Sequence, residues 1–302
     1  MRWSFPSFDR RQRSGLALAA PTAVFLVIFF VVPAAVLLVY SFWISRSFQI
    51  TPTLTLSNYL RALGNAGMWL SMWNGVWIGA WTAVFSVALS FPVAWYIAYR
   101  TRSNAILYAV LLSWFSSYLV RIYAWRTILG TSGLINSTLM QLGMIDQPLS
   151  FLIFSRTAVI VTLVHLFVPF TLLLLLSALR NVRTDYLEAA RDLGASWRQS
   201  FLRVVVPMAY KGIVGSFMFT FILAAGDFIS PQLLGGREGV TTGLLISNQF
   251  RQTGNWSFGA ALAFILLGVF LFAYFLVAQS MRLGRLSPGL RFHPTLPTQE
   301  KA

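Results

Sequence analysis

TDYLEAARDLGASWRQSFLRVVVP, residues 184–207, is a charged, amphipathic segment set between two long uncharged runs, and its reading decides what kind of chain this is. Asp185 stands three residues before Glu188, an Asp-x-x-Glu variant of the capping box, which predicts a helix start. Tyr186, Ala189, Ala190 and Leu193 then share one face at spacings of three, four and seven. Gly194 suits the left-handed residue that stops a helix. Ser196 and Gln199 form a second capping box, opening a helix whose apolar stripe is Trp197, Phe201, Val204 and Val205. Pro207 is expected to interrupt that helix before the next apolar run. The product is a helix, a glycine bend and a helix, too amphipathic to span a bilayer and too apolar for a bare solvated linker. Either its stripes fold back on the chain's own helix ends or on lipid headgroups, with Arg191, Arg198 and Arg203 toward phosphates, or one stripe anchors the segment while Ala189, Ala190 and Gly194 admit the surface of another protein.

The runs on either side belong to a chain of 302 residues that is 57% hydrophobic and 10% charged. A soluble core of that size has no room for so much apolar surface, so the solvent is a lipid bilayer. The formal charge of +15 does not indicate nucleic acid, because the basic residues punctuate apolar stretches instead of clustering on a polar domain. With no cysteine, disulfides, Cys-ligated metals and thiol nucleophiles are excluded. His165 and His293, the only histidines, do not suggest a metal site. No cofactor and no catalytic residue is expected.

Leu16 to Phe42 is uncharged and long enough, at about 1.5 Å per residue, to cross a bilayer with some tilt. It is too long for the apolar region of a signal peptide, which predicts a retained helix. Similar stretches run from Met72 to Tyr99, Ala105 to Leu129, Thr157 to Leu179, Met208 to Ile229 and Phe258 to Met281, giving six expected membrane helices. Most of the 23 Lys and Arg fall on the side of both termini, in the segments holding Arg2 to Arg13, Arg100 and Arg102, Arg180 to Lys211, and Arg282 to Lys301. Both termini are therefore expected in the cytoplasm. The organisation expected is a tail, first helix and periplasmic segment over 1–71, a membrane core over 72–282 that contains the loop 184–207, and a cytoplasmic tail over 283–302. On the outer side, Gly130 to Arg156 is expected to fold back as a short amphipathic helix and a loop. No internal repeat is visible.

Glu188-Ala189-Ala190, three residues, Gly194, nine residues, then Val204-x-Val206-Pro207 resembles the EAA loop of type I ABC importer permeases, the MetI-like family, with Val where that pattern usually carries Ile and Leu. The resemblance covers about Met72 to Met281, with Leu16 to Phe42 as an extra first helix. It implies an all-α integral membrane subunit in which Glu188, Ala189, Ala190, Gly194 and Pro207 belong to a coupling helix seated in an ATPase subunit. It also implies a second permease subunit, PotC-like in a heterodimer, a periplasmic solute-binding protein and a bacterial inner-membrane location. Tyr118-Leu-Val-Arg-Ile-Tyr-Ala-Trp125, Gly133-Leu-Ile-Asn136 and Gly226-Asp-Phe-Ile-Ser-Pro-Gln-Leu-Leu-Gly-Gly236 are similar to the spermidine and putrescine branch, its PotB-like members in particular. Ferric ion, sulfate and organophosphorus or opine compounds are cargoes of related permeases, and an ion-gradient-driven secondary transporter is the reading from another class.

The chain lacks the G-x-x-x-x-G-K-[ST] loop that holds nucleotide phosphates, since its lysines are Lys211 and Lys301 and neither follows a glycine. ATP hydrolysis is accordingly expected on partner subunits. Ionisable groups inside a membrane are costly and mark function or pairing. Asp227 and Arg121 fall at similar levels near the outer boundary, about 29 Å and about 24 Å along their helices. They suggest either a structural bridge or a cation-attracting gate at Asp227, with Tyr118 and Trp125 belonging to an interfacial aromatic belt or to the substrate pathway. His165 is expected to be a neutral, hydrogen-bonded packing residue and not a proton relay, since no acidic residue shares its helix.

Overall fold

In the computed structural model, residues 10–283 are described, and side-chain burial over 18–280. The tails that carry Arg2, His293 and Lys301 lie outside the described residues. Along the chain the elements are α1 (Arg10–Leu26), a π turn (Val27–Val31), α2 (Val32–Ser41), the strands β1 (Ile44–Arg46) and β2 (Gln49–Thr51), α3 (Ser57–Leu63), α4 (Ala66–Tyr99), α5 (Ala105–Trp114), α6 (Tyr118–Leu129) and α7 (Leu134–Gln141). After a 3₁₀ turn at Ser150–Leu152 come α8 (Arg156–Arg180), α9 (Thr184–Asp192), α10 (Trp197–Ser200), a second π turn (Phe201–Val205), α11 (Val206–Gly226), α12 (Ile229–Leu234), α13 (Thr242–Arg251) and α14 (Trp256–Leu283).

Among the described residues, five continuous helical stretches are long and apolar enough to cross a membrane: Leu18–Ser41, Ala66–Tyr99, Arg156–Arg180, Trp197–Gly226 and Trp256–Ser280. The third expected span is not one helix. It is broken between α5 and α6 by an 87° bend and counts as a sixth crossing only as a bent pair, Ala105–Trp114 with Tyr118–Gln141. Hydropathy missed the break because its cause is local: Ser113 and Ser116 donate back to the Val110 and Ser113 carbonyls, and Ser117 adopts extended backbone at φ −56°, ψ 142°. The level assigned to Arg121 by counting along a straight helix is therefore withdrawn.

Several helix starts were also misplaced by the apolar pattern and are set instead by side-chain caps. Asn65 Oδ1 accepts from the Gly67 and Met68 amides, so α4 begins at Ala66 and not near Met72. Ser155 Oγ accepts from the Ala158 amide at the start of α8, and Asn255 Oδ1 from the Phe258 amide at the start of α14. The fifth span departs furthest from expectation, because Pro207 does not break it. The Val206 amide bonds back to the Phe201 carbonyl in a π turn, and Pro207 then falls in the first turn of α11, where a missing N–H is tolerated. The same device precedes Pro33: the Val32 amide bonds to the Val27 carbonyl.

The chain divides into two compact units, 1–70 with 242–267 and 71–241 with 268–302. In the first unit, the hydrophobic window of Leu18–Ser41 has no buried residue. Its outer end is tied down by polar contacts: Asn58 Nδ2 donates to the Ser41 and Trp43 carbonyls, and Ser41 shares a 2.7 Å hydrogen bond with the Tyr59 hydroxyl. The β1–β2 hairpin meets Gly254, whose carbonyl accepts from the Phe48 amide and the Ser45 hydroxyl. Gly254 sits at φ +63°, and a Cβ there would lie 2.6 Å from Phe48.

The second unit is held by packing of α8 against α11 and α4. Leu172, Leu175, Leu176 and Leu179 of α8 are buried with Ala94, Ile97, Val205 and Ala209, while Leu163 and Leu166 pack with Ile78, Ile122 and Ala224. Between helices that share the same lipid, packing and hydrogen bonds replace the hydrophobic effect as the driving force, so close approach by small residues matters. Thr171 and Thr220 share a buried 2.8 Å hydrogen bond across the α8–α11 seam. Gly212 approaches Ala178 so closely that a Cβ would lie 2.1 Å from the alanine Cβ. Gly212→Val is therefore expected to cost about 1–3 kcal/mol by overpacking, whereas Gly268→Ala, inside α14 with no neighbour within 4 Å, is expected to leave stability unchanged or raise it by up to about 1 kcal/mol. Thermal denaturation of the purified chain in detergent checks both.

Candidate functional site

The segment 184–207 forms the expected helix, glycine bend and helix, with differences that bear on its use. The turn at Gly194 is a Schellman motif: the Gly194 amide bonds to the Arg191 carbonyl, the Ala195 amide to the Ala190 carbonyl, and Gly194 takes φ +80°. The Ser196–Gln199 capping box is complete in both directions. The Asp185–Glu188 box is not formed. Helix α9 starts two residues earlier, at Thr184, so Asp185 lies in its first turn where the helix dipole favours an acid, and its carboxylate pairs with Arg183.

The stripe of Tyr186, Ala189, Ala190 and Leu193 does not anchor α9. Leu187 does, 6% exposed and packed in the cluster of Leu179, Val182 and Val205, while Leu193 is 89% exposed. Glu188 and Ala189 are exposed and Ala190 is half-buried, so a face of small and apolar side chains points away from the chain. Beneath it lies an aromatic support. Trp197 stacks on Phe201 at 5.6 Å and meets Trp95 edge-on at 6.1 Å, and Phe201 meets Phe91 edge-on at 5.5 Å. The Tyr99 hydroxyl donates to the Leu179 carbonyl at the end of α8.

Asp227 sits at the junction of α11 and α12. The expected bridge to Arg121 is absent: the only ion pair among the described residues is Arg183–Asp185. Asp227 instead accepts a 2.6 Å hydrogen bond from the Tyr118 hydroxyl and a 2.9 Å bond from the Ser230 amide, and its own carbonyl accepts from the Thr241 hydroxyl. The physical reason is the bend before α6, which places Tyr118 at the first position of that helix and against the carboxylate. Arg121, one turn on, is buried with 8% exposure, and its Nε has no hydrogen-bond partner. Trp125, a further turn along, donates its indole N–H to His165 Nδ1 at 2.9 Å, so His165 is hydrogen-bonded as expected. Tyr118, Asp227 and Ser230 thus form one cluster and Trp125 and His165 another, with Arg121 on the helix between them. Among the described residues no three His, Cys, Asp or Glu come together as a metal site.

Two polar residues were not singled out for structure in the sequence. Ser230, fully buried, follows Asp227 at the spacing that lets a carboxylate reach back to a helix N-terminal amide, a signal that was available. Asn136, also fully buried, spans the outer loop by donating to the Gly130 carbonyl and accepting from the Leu149 amide. Its helix α7 and the loop after it fit the expected fold-back of Gly130 to Arg156.

Apart from one short hairpin the chain is helical where it is described, with five helices and one bent pair long and apolar enough to cross a membrane. It belongs to the family of binding-protein-dependent transport system inner membrane components, whose model matches residues 64–282. The spermidine/putrescine transport system permease protein PotB of Escherichia coli is 34% identical over 189 residues, 61% of this chain and 68% of that protein. The inner membrane ABC transporter permease YdcU of Escherichia coli is 34% identical over 251 residues, 78% of each. A chain of a bacterial alginate ABC transporter, crystallised with an oligosaccharide-bound periplasmic protein, shares the fold with a TM-score of 0.69 at 17% identity, covering 90% of this chain and 95% of its own. The chain is thus a type I ABC importer permease of the inner membrane, working with ATPase subunits and a solute-binding protein.

Tyr118→Phe and Asp227→Asn are each expected to lower the thermal midpoint by removing a charge-assisted hydrogen bond, roughly 1–3 kcal/mol. Because they break the same contact, the double variant should cost clearly less than the two combined. Strict additivity would mean that the hydroxyl and the carboxylate act separately.

Proposed function

We propose that this permease moves a polyamine such as spermidine or putrescine inward across a bacterial inner membrane. The observation that carries the cargo is the similarity to PotB, which reaches 34% identity across 189 residues. In this reading a periplasmic binding protein delivers the solute, a PotC-like second permease subunit completes the pathway, and hydrolysis takes place on separate ATPase subunits. In this reading both termini lie in the cytoplasm, which the distribution of Lys and Arg supports. The functional core is 72–282, with 1–71 carrying the first helix and 283–302 the C-terminal tail.

The ATPase docks on Glu188, Ala189, Ala190 and Gly194, with Pro207 marking the entry to the membrane helix. Support comes from the outward face of α9: an exposed Leu193 beside small residues gives a partner both apolar area and close approach. Asp227, held by Tyr118, supplies negative charge near the outer end of the pathway, and Arg121, Tyr118 and Trp125 line its approach.

ATP-dependent uptake of radiolabelled spermidine by the assembled complex tests the proposal. Uptake is expected only with ATPase and binding protein present. Transport that persists without any ATPase would replace it by a secondary transporter, and ATP-driven uptake of another solute in place of polyamine would replace the cargo. Gly194→Asp, which places a charged branched side chain at a φ of +80°, is expected to abolish coupled uptake while the chain still inserts in the membrane. Normal uptake in that variant would remove the docking role.

A further inference from the structure

His165 is exposed although it lies deep in a membrane span. It is nine residues into α8 from Arg156, about 14 Å along a helix whose far end is about 22 Å further on, so it falls within a hydrocarbon layer about 30 Å thick. It borders a mostly apolar groove of ≈ 420 Å³ with Leu89, Val161, Val164 and Val168, in which Ser113 is a further polar side chain. That groove shares Leu89, Val161 and Val164 with a second one of ≈ 660 Å³ that runs along α4 past Trp77, Trp81 and Phe85.

The imidazole chemistry is fixed by its partner. Trp125 Nε1–H donates to Nδ1, so in the neutral ring Nε2 carries the proton and is a donor with nothing to donate to among the described residues. Pro169, four residues on and also in the groove, has no N–H and deprives the His165 carbonyl of its normal helical donor. The residue thus brings an unpaired donor and a carbonyl without its helical partner to one surface at mid-membrane. Acyl chains offer neither group a partner, and polar groups at this depth face a water-filled cavity or the interior of a bundle.

We propose that this groove is a wall of the water-filled translocation pathway, with His165 as its polar contact and Trp125 as the residue that positions it. The N–H faces water or an acceptor, while the carbonyl and the indole ring are open to an ammonium group and its methylene stem. A neutral imidazole whose one lone pair is already taken cannot hold a cation tightly. That suits a surface a solute must leave as readily as it enters. The assignment rests on the permease role and not on which solute is carried.

The chain has no cysteine of its own, so single cysteines report cleanly on it. His165→Cys and Val161→Cys, one turn away in the groove, are compared with Leu174→Cys, nine residues on and about half a turn round the helix, which is 38% exposed. The complete complex in membrane vesicles is treated with a positively charged methanethiosulfonate, without nucleotide and with a non-hydrolysable ATP analogue, and label on this chain is followed by mass. In at least one state the two groove positions are expected to react about tenfold or more faster than Leu174→Cys, because a thiol ionises in water and not among acyl chains. Val161→Cys keeps His165 and decides the matter if His165→Cys does not assemble. Groove positions unreactive in every state, or no faster than Leu174→Cys, would overturn the proposal and leave the groove as a packed interface or a lipid contact. Fast labelling of the groove positions in a complex that, before labelling, takes up another solute and no polyamine would sink the cargo and keep the wall.

Discussion

Hydrocarbon offers a backbone amide nothing to bond to, and this one constraint shapes the chain at Pro33, at Pro207 and at the break between α5 and α6. Pro33 and Pro207 would each deprive a carbonyl of its donor. In both cases the preceding residues form a π turn, and the proline falls where no intrahelical N–H is required. The break between α5 and α6 is handled differently. Ser113 and Ser116 bond their own backbone on one side, and on the other the opening of α6 is held from its first residue by Tyr118 on Asp227. At these three places a π turn or side chains take over the lost bonds.

The same constraint explains why Asp227 sits where it does. Helix α11 ends at Gly226, and α12 begins with amides that need acceptors. A carboxylate at the junction accepts from the Ser230 amide with one oxygen and from Tyr118 with the other, so both oxygens are satisfied without an ion pair. Arg121, one turn further along α6, is itself buried but does not pair with the carboxylate.

What could be read in advance divides along the same line. Long-range apolar runs gave the number and order of the crossings, and local chemistry gave Gly194 and the Ser196–Gln199 box, since both depend on residues within a few positions of one another. The third span failed because averaged hydropathy is blind to two serines that turn the chain by 87°. Asp185 failed as a cap because a helix start is a competition: α9 began at Thr184, and Arg183 was close enough to claim the carboxylate. Tyr118 was visible as an aromatic near a membrane edge, but its bond to Asp227 joins residues 109 positions apart and rests on a bend that the sequence pattern concealed. The anchor of α9 was not legible for a related reason. Its exposed stripe is the apolar one, and only tertiary packing singles out Leu187 as the residue that faces inward.

The absorbed proline also has a mechanical consequence. With Pro207 placed in a first turn, α10, the π turn and α11 form one helical stretch from Trp197 to Gly226, 30 residues long, which at the usual rise is about 45 Å. Its lower end is clamped among Trp95, Phe91 and Phe201, and it opens directly out of the Gly194 turn. Its upper end is followed at once by Asp227. A loop separated from its membrane helix by a broken proline junction would dissipate a push in local bending. Here a continuous helix joins the 184–207 segment to the carboxylate that holds Tyr118, so a push on that segment would have a direct route to the start of the short helix bearing Trp125. If the ATPase docks at that loop, the first polar contact its closure strains at the far end of the rod is the Tyr118–Asp227 hydrogen bond.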